Sequence, residues 1–171
     1  SIKDQLLVFN NVSTAHASTI ESLKDIFYLR DSASVPNKFT IIDVLNKIGY
    51  SSYWLSNHRY FEETLTPITN IANRSGKVYF VNPLKAIKYD GDLLPKLKEV
   101  LLAEDSKKVI FIHLMGTHSS YKDRYPNNYN VFKNSQNSRF GNKADRLINY
   151  YDNAVLYNDF VISSIISQVD A

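Results

Sequence analysis

Seven residues from Val109 to Met115 make the best apolar run of the chain, and one of them is a histidine, His113. A run of this length is far short of the roughly 20 apolar residues that cross a bilayer as a helix. The sequence itself is therefore expected to carry no transmembrane span and no signal peptide. The run fits instead a strand over Lys107 to Leu114, covered on both faces at the centre of a sheet. Around it, strand-like and helix-like patterns alternate. Gln5 to Phe9 reads as a strand that enters a polar turn at Asn10 to Ala17. Ser18 to Glu21 has capping-box spacing, and Ile20, Leu23, Ile26 and Phe27 follow a helical period. Thr40 and Asp43 open a second helix that Gly49 stops. Tyr50 to Ser56 reads as a strand feeding a loop at Asn57 and His58. Lys77 to Val81 follows as another strand after the turn-rich Asn70 to Gly76. Asp92 is expected to cap a helix through Ala103, with Pro95 tolerated in its first turn. A long helix closes the chain, with Leu147, Tyr151, Val155, Ile162, Ile166 and Val169 near one face.

This alternation predicts an α/β fold, a largely parallel sheet flanked by helices. The 171 residues fit one domain, and 44% apolar against 22% charged residues is enough for a true core. The absence of cysteine removes disulfides, zinc–thiolate sites and a cysteine nucleophile. A net charge of +3 is too small to argue for nucleic acid, but it is unevenly spread. Between Tyr121 and Arg146 stand six basic and two acidic residues, which leaves the rest of the chain close to neutral. That stretch suits an anionic ligand or membrane surface, and equally a solvated loop. The polar segment of about 25 residues that follows the Lys107 to Leu114 strand has the length of a lid, a binding loop or a disordered segment.

In parallel sheets, ligands gather where strand ends meet helix N-termini. Three places qualify: Ser18/Thr19, Asn57/His58, and His113 to His118. A hydroxyl at a helix start faces unpaired N–H groups and can act as a nucleophile once its proton is removed. Taken alone, Ser18 and Thr19 read as capping residues. Gly116 lets the chain turn after the strand, so that His118 can face the crevice and hold a phosphoryl oxygen or assist a leaving group. The plainer alternative is a buried, satisfied His113 and an idle His118. Asn57 and His58 carry weaker versions of the same argument, and His16 reads as a turn residue.

The segment Val109-Ile-Phe-Ile-His-Leu-Met-Gly-Thr-His118, with Tyr125-Pro126 and Tyr151-Asp-Asn-Ala-Val-Leu-Tyr-Asn-Asp159, resembles the catalytic domain of phosphoethanolamine transferases, in the sulfatase branch of the alkaline phosphatase superfamily. Phe9-Asn-Asn-Val-Ser13 with Thr19-Ile-Glu-Ser22 is similar to the nucleophile segment. Ile42 to Tyr50 is similar to the helix before the next strand, and Trp54-Leu-Ser-Asn57 to a substrate-side loop. The resemblance implies that Thr19 is both a zinc ligand and the nucleophile that takes phosphoethanolamine from phosphatidylethanolamine. The group then passes to lipid A or a lipopolysaccharide core sugar. It further implies that His118 contacts the phosphoryl group and that Asn57, His58 and His113 line the substrate. A lysine that some relatives carry has no match, and His58 or Arg59 would replace it. Tyr151, Asp152 and Asn153 are expected to serve helix packing and supporting hydrogen bonds.

The resemblance also implies ligands that this sequence lacks. An acidic metal ligand would lie upstream of Ser1, an Asp-His pair would lie beyond Ala171, and no Asp-His dipeptide occurs. The sequence is accordingly read as an internal part of a catalytic domain, incomplete at both ends and inactive by itself, with weak or no zinc binding. Its open sheet edges are expected to favour non-native self-association. The whole protein is expected to be held in the bacterial inner membrane by an N-terminal region, with this domain facing the periplasm. A hydrolase of the same fold, a phosphodiesterase or sulfatase, is the first rival. No Cys/Ser-x-Pro/Ala-x-Arg run supports a sulfatase. The second rival is a non-catalytic binding module, and no nucleic-acid recognition element is present.

Overall fold

A computed structural model describes residues 7, 9–14, 16–29, 39–59, 66–82, 89–133 and 142–171. Its frame is a parallel sheet of three strands in the order β2-β1-β3: β1 (Ser51–Arg59) at the centre, β2 (Lys77–Asn82) on one side and β3 (Lys108–His113) on the other. The fold is the expected α/β layering of a parallel sheet between helices.

The central strand is not the apolar run. β1 is buried continuously from Ser52 to Asn57, whereas β3 is half-buried along its length and forms an edge among the described strands. Serines can occupy β1 because each is hydrogen-bonded. Ser52 Oγ donates to Asn46 Oδ1 at 2.5 Å and accepts from Gly76 N at 2.9 Å. Ser56 Oγ accepts from His58 N at 3.1 Å. Buried hydroxyls with partners cost little, so burial here is invisible to hydrophobicity.

Each face of the sheet carries its own core. On one face α1 (Thr19–Phe27), α2 (Ile41–Lys47) and α3 (Pro67–Ala72) enclose Phe27, Ile42, Trp54, Ile71 and Ala72. Phe27, Trp54 and Phe111 pack there with ring centroids 5.3–6.0 Å apart. On the other face, a 3₁₀ turn over Asp90–Leu93 runs into α4 (Leu94–Leu101), and Leu93, Leu97 and Val100 cover Tyr53 and Leu55. The long α5 (Asn142–Val169) adds Ile165 to this layer.

Local signals explain most element ends. Ser18 accepts from Glu21 N, but the Glu21 carboxylate pairs with Lys24 at 2.9 Å instead of closing the box. The full capping box belongs to α2, through Thr40 and Asp43. Arg74 reaches the same Asp43 carboxylate at 2.7 Å. Burial pushes the Asp43 carboxyl up, but the Thr40 hydrogen bonds and Arg74 outweigh it and hold the group below its usual range. α3, absent from the sequence reading, starts at the Thr66 cap with Pro67 in its first turn.

Three further expectations are corrected. Asn57 and His58 lie on β1 rather than in a loop, at a bulge where the β1–β2 register shifts between Ser56 and Arg59. Asp92 does not cap α4; it lies inside the 3₁₀ turn, where its carboxylate accepts from Tyr89 N at 3.0 Å. On α5, Leu147, Tyr151, Val155, Ile162 and Val169 face outward, while Asn153, Ala154, Tyr157 and Val161 are buried. In the polar stretch after β3, short 3₁₀ turns at Tyr121–Asp123 and Asn127–Tyr129 pack on α5. Leu7 and Phe9 are exposed and outside any strand, and Gln5, Leu6 and Val8 of the expected first strand, like Arg139, lie outside the described residues. No helix among the described residues is long and apolar enough to cross a membrane.

Candidate functional site

The C-terminal ends of β1 and β3 meet at a pair of histidines. Ser56 is in register with His113, so His58, two residues on, lies over the end of β3. The His58 and His113 rings stack with centroids 3.8 Å apart and planes within 2°. His58 Nε2 donates to the Leu114 carbonyl at 3.1 Å, which fixes the Nε2–H tautomer because a carbonyl only accepts. Ser56 Oγ lies 3.4 Å from His113 Nδ1, and Trp54 meets His113 edge-on at 5.8 Å.

Both rings are held neutral near pH 7. Burial pushes His113 down to about 4, with the neighbouring His58 adding to the effect. Burial also lowers His58, helped by the charges of His118 and Arg124 and opposed by the Leu114 carbonyl and Asp90. A neutral stacked pair cannot supply a proton at neutral pH, so proton donation falls to other groups.

On the opposite face of the sheet, Asn57 is buried and donates from Nδ2 to Asp90 Oδ1 at 2.8 Å. Asp90 is the organising residue of the crevice. It is 3% exposed, and besides Asn57 it accepts from Met115 N at 2.9 Å and Gly116 N at 2.7 Å. This carboxylate clamps the turn that follows β3. Gly116 sits there at φ +53°, a left-handed conformation that glycine adopts without strain. His118 N donates to Met115 O at 3.1 Å, closing the turn and leaving the His118 side chain exposed next to Ser119. Sequence reasoning missed Asp90; its only local signal is the Asp90-Gly91 pair. A Cβ at Gly91 would lie 2.5 Å from Tyr157 Oη, whose hydroxyl accepts from Gly91 N at 3.0 Å. Burial pushes that phenol up to about 12, so it stays protonated.

The segment after the turn is held from α5. Asn153, fully buried, accepts from Val131 N and Phe132 N at 2.9 and 2.8 Å and donates to Phe132 O at 3.0 Å. Its amide also reaches Tyr125 Oη at 3.3 Å, and Tyr121 meets Tyr151 edge-on at 5.2 Å. Asn153 and Tyr151 thus act through packing and support, which places Arg124 between the buried Tyr125 and the Tyr121–Asp123 turn.

Thr19 is the first residue of α1, exposed at the helix start. The preceding chain is tied down beside it: Ser22 Oγ donates to His16 O at 3.2 Å, and His16 Nε2 pairs with Asp25 at 2.8 Å. No described hydrogen bond joins Thr19 to His58, His113 or His118. The structure therefore groups Asn57, His58, His113 and the His118 turn into one crevice and leaves Thr19 on a separate element. Among the described residues no group of three or more His, Cys, Asp or Glu side chains could hold a metal ion. One hydroxyl does not satisfy four-coordinate zinc, so the described residues do not by themselves form the zinc site that the resemblance implies.

The comparison with known proteins decides the family. The sulfatase family matches over residues 1–171, the full length of the chain. The chain belongs to the sulfatase family. Within that family it is 34% identical over 175 residues to the phosphoethanolamine transferase EptC of Escherichia coli K12, covering 97% of this chain and 30% of that protein. It is also 34% identical over 160 residues to the phosphoethanolamine transferase CptA of Salmonella typhimurium, covering 88% of this chain and 28% of that protein. Among solved structures, the C-terminal periplasmic domain of Escherichia coli EptC in complex with zinc superposes with a TM-score of 0.81 at 33% identity, covering 94% of this chain and 47% of that one. The chain thus spans about a third of the length of these curated relatives and about half of that domain.

Proposed function

We propose that this chain supplies the crevice of a phosphoethanolamine transferase, in a single catalytic domain that faces the periplasm of a membrane-anchored protein. Phosphatidylethanolamine is the donor, and lipid A or a lipopolysaccharide core sugar is the acceptor. The observation that carries this reading is the extent of the likeness: it runs over 97% of the chain, well beyond any one motif, to an enzyme named for this transfer.

In the proposed reaction, the Thr19 hydroxyl oxygen attacks the phosphorus of the donor. A bond from Thr19 Oγ to phosphorus forms as the hydroxyl gives up its proton, the bond from phosphorus to the diacylglycerol oxygen breaks, and the leaving oxygen takes up one proton, so that none is gained or lost over the step. An acceptor hydroxyl oxygen then attacks the same phosphorus and gives up its proton, the bond from Thr19 Oγ to phosphorus breaks, and Thr19 Oγ takes up a proton to become the hydroxyl again. The helix start at Thr19 favours negative charge through its unpaired N–H groups. His118, exposed at the clamped turn, binds a phosphoryl oxygen or protonates the leaving oxygen. Neutral His58 contributes a fixed imidazole wall, and His113 and Asn57 hold that wall and Asp90 in place. Zinc belongs to the whole protein in this reading, with Thr19 as one ligand and the remaining donors from outside the described residues.

The test is transfer itself. The intact protein that carries this chain, incubated with phosphatidylethanolamine and purified lipopolysaccharide, should yield acceptor enlarged by one phosphoethanolamine. Release of free phosphoethanolamine with no enlarged acceptor would assign the crevice to a hydrolase.

A further inference from the structure

His16, which reads as a plain turn residue in the sequence, is the hub of the chain that leads into α1. Its Nε2 donates to the Asp25 carboxylate at 2.8 Å. Its carbonyl accepts from Thr14 Oγ1 at 3.1 Å and from Ser22 Oγ at 3.2 Å. Ser18 then caps the helix, accepting from Glu21 N at 3.3 Å. Ser22 is the fourth residue of α1 and Asp25 the seventh, so both His16 contacts reach past the first turn of the helix. The incoming chain therefore lies back along the flank of α1 before it turns at Ser18. Thr19, the first helical residue, stands at the tip of that bend. This end of α1 has little other support. Phe27, the buried residue of the helix, is at the opposite end, whereas Thr19, Ile20 and Glu21 are exposed. A helix of nine residues is marginal by itself, so its first turn takes the direction that flanking contacts give it.

We propose that His16 and Asp25 are positioning residues for the Thr19 hydroxyl: their hydrogen bond ties the incoming chain to α1 and fixes the direction in which the helix start presents Thr19. A reacting group displaced by about 1 Å loses on the order of a hundredfold in rate, so a contact that orients it matters beyond its own strength. The side chains of His16 and Asp25 are 39% and 31% exposed, and a pair so open to water adds little to global stability. Orientation and stability are thus separable at this site. Both residues act through Thr19 and neither is given a contact with the phosphoryl group. The inference rests on the transferase reading only for what Thr19 does once it is placed.

The experiment compares the intact wild-type protein with His16→Ala, His16→Gln, Asp25→Ala and the double variant His16→Ala/Asp25→Ala. It reads the rate of adduct formation against phosphatidylethanolamine concentration, and amide hydrogen exchange over residues 16–22. His16→Ala and Asp25→Ala should each form adduct about 10–100-fold more slowly at saturation, with little change in the half-saturating concentration. The double variant should be no slower than either single one, because all three lack the same contact. His16→Gln keeps an N–H donor near the position of Nε2 and should recover most of the rate. Exchange should quicken over residues 16–22 in the alanine variants and stay unchanged in β1, with the melting temperature within about 4 °C of wild type. An unchanged adduct rate in His16→Ala, multiplied losses in the double variant, or global unfolding of His16→Ala overturns the proposal. A wild type that forms no adduct refutes the transferase reading, and exchange then decides the tie. Selective quickening over residues 16–22 in both alanine variants upholds it, and unchanged exchange overturns it.

Discussion

Asp90 carries more of the crevice than any residue that would touch a substrate. Its carboxylate joins β1, through Asn57, to the two N–H groups after β3, and it is nearly fully buried. Removing it strands three donors at once. Asp90→Ala should lose about 3 kcal/mol of stability, read as a lower denaturant midpoint at unchanged slope. Asp90→Asn keeps one acceptor oxygen and should lose less. The histidines make a separate prediction. His113 titrates near 4 when folded and near 6.5 when unfolded, and His58 is lowered as well. Between those values the unfolded chain binds more protons, so stability falls as pH drops from about 6.5 toward 4. The loss should be on the order of 2–3 kcal/mol. Asp43, also lowered, adds its loss only below the ordinary carboxylate range. Melting temperature against pH should show the histidine step, and His113→Phe should flatten it. At this scale the sequence shows Thr19, His58, His113 and His118 as chemistry-bearing types. It hides Asp90, because Asp90's partners lie 33, 25 and 26 residues away and no local spacing records them.

At the level of elements, α5 works as a clasp. Asn153 hydrogen-bonds the backbone of Val131 and Phe132 and so holds the segment after the His118 turn. Asn153→Ala should cost about 2 kcal/mol and speed amide exchange selectively over residues 125–133, with β1 unaffected. Uniform exchange across the segment and the sheet would contradict a local clasp. The helix also shows where apolar patterning misleads. Its buried stripe uses Asn153, Ala154, Tyr157 and Val161, while the greasier Leu147, Val155 and Ile162 face outward. Residues chosen by hydropathy thus mark the wrong side, because a bonded asparagine and a small alanine bury well without being hydrophobic. The same reason hides the centrality of β1, whose Ser52, Ser56 and Asn57 are buried by hydrogen bonding. The starts of α1 and α2, by contrast, are legible: Ser18 and Thr40 cap as their spacing predicts, since a cap is a contact between residues three apart, whereas the starts of α3 and α4 are not read.

For the molecule as a whole, parallel strands and covering helices follow from the alternation of patterns, and the crevice forms where β1 and β3 end, as parallel topology requires. The grouping of His58 with His113 is a consequence of strand register, which sequence spacing cannot supply. The resemblance to phosphoethanolamine transferases fills that gap, and the match along the full chain places it in the sulfatase family. The central claim remains the passage of phosphoethanolamine through Thr19. It is tested most directly by intact mass measurement of the whole protein after incubation with phosphatidylethanolamine and zinc, wild type beside Thr19→Ala. The account predicts a phosphoethanolamine-sized adduct on wild type that is absent from the variant. An adduct of equal yield on Thr19→Ala, or none on a wild type that still modifies acceptor, would contradict it.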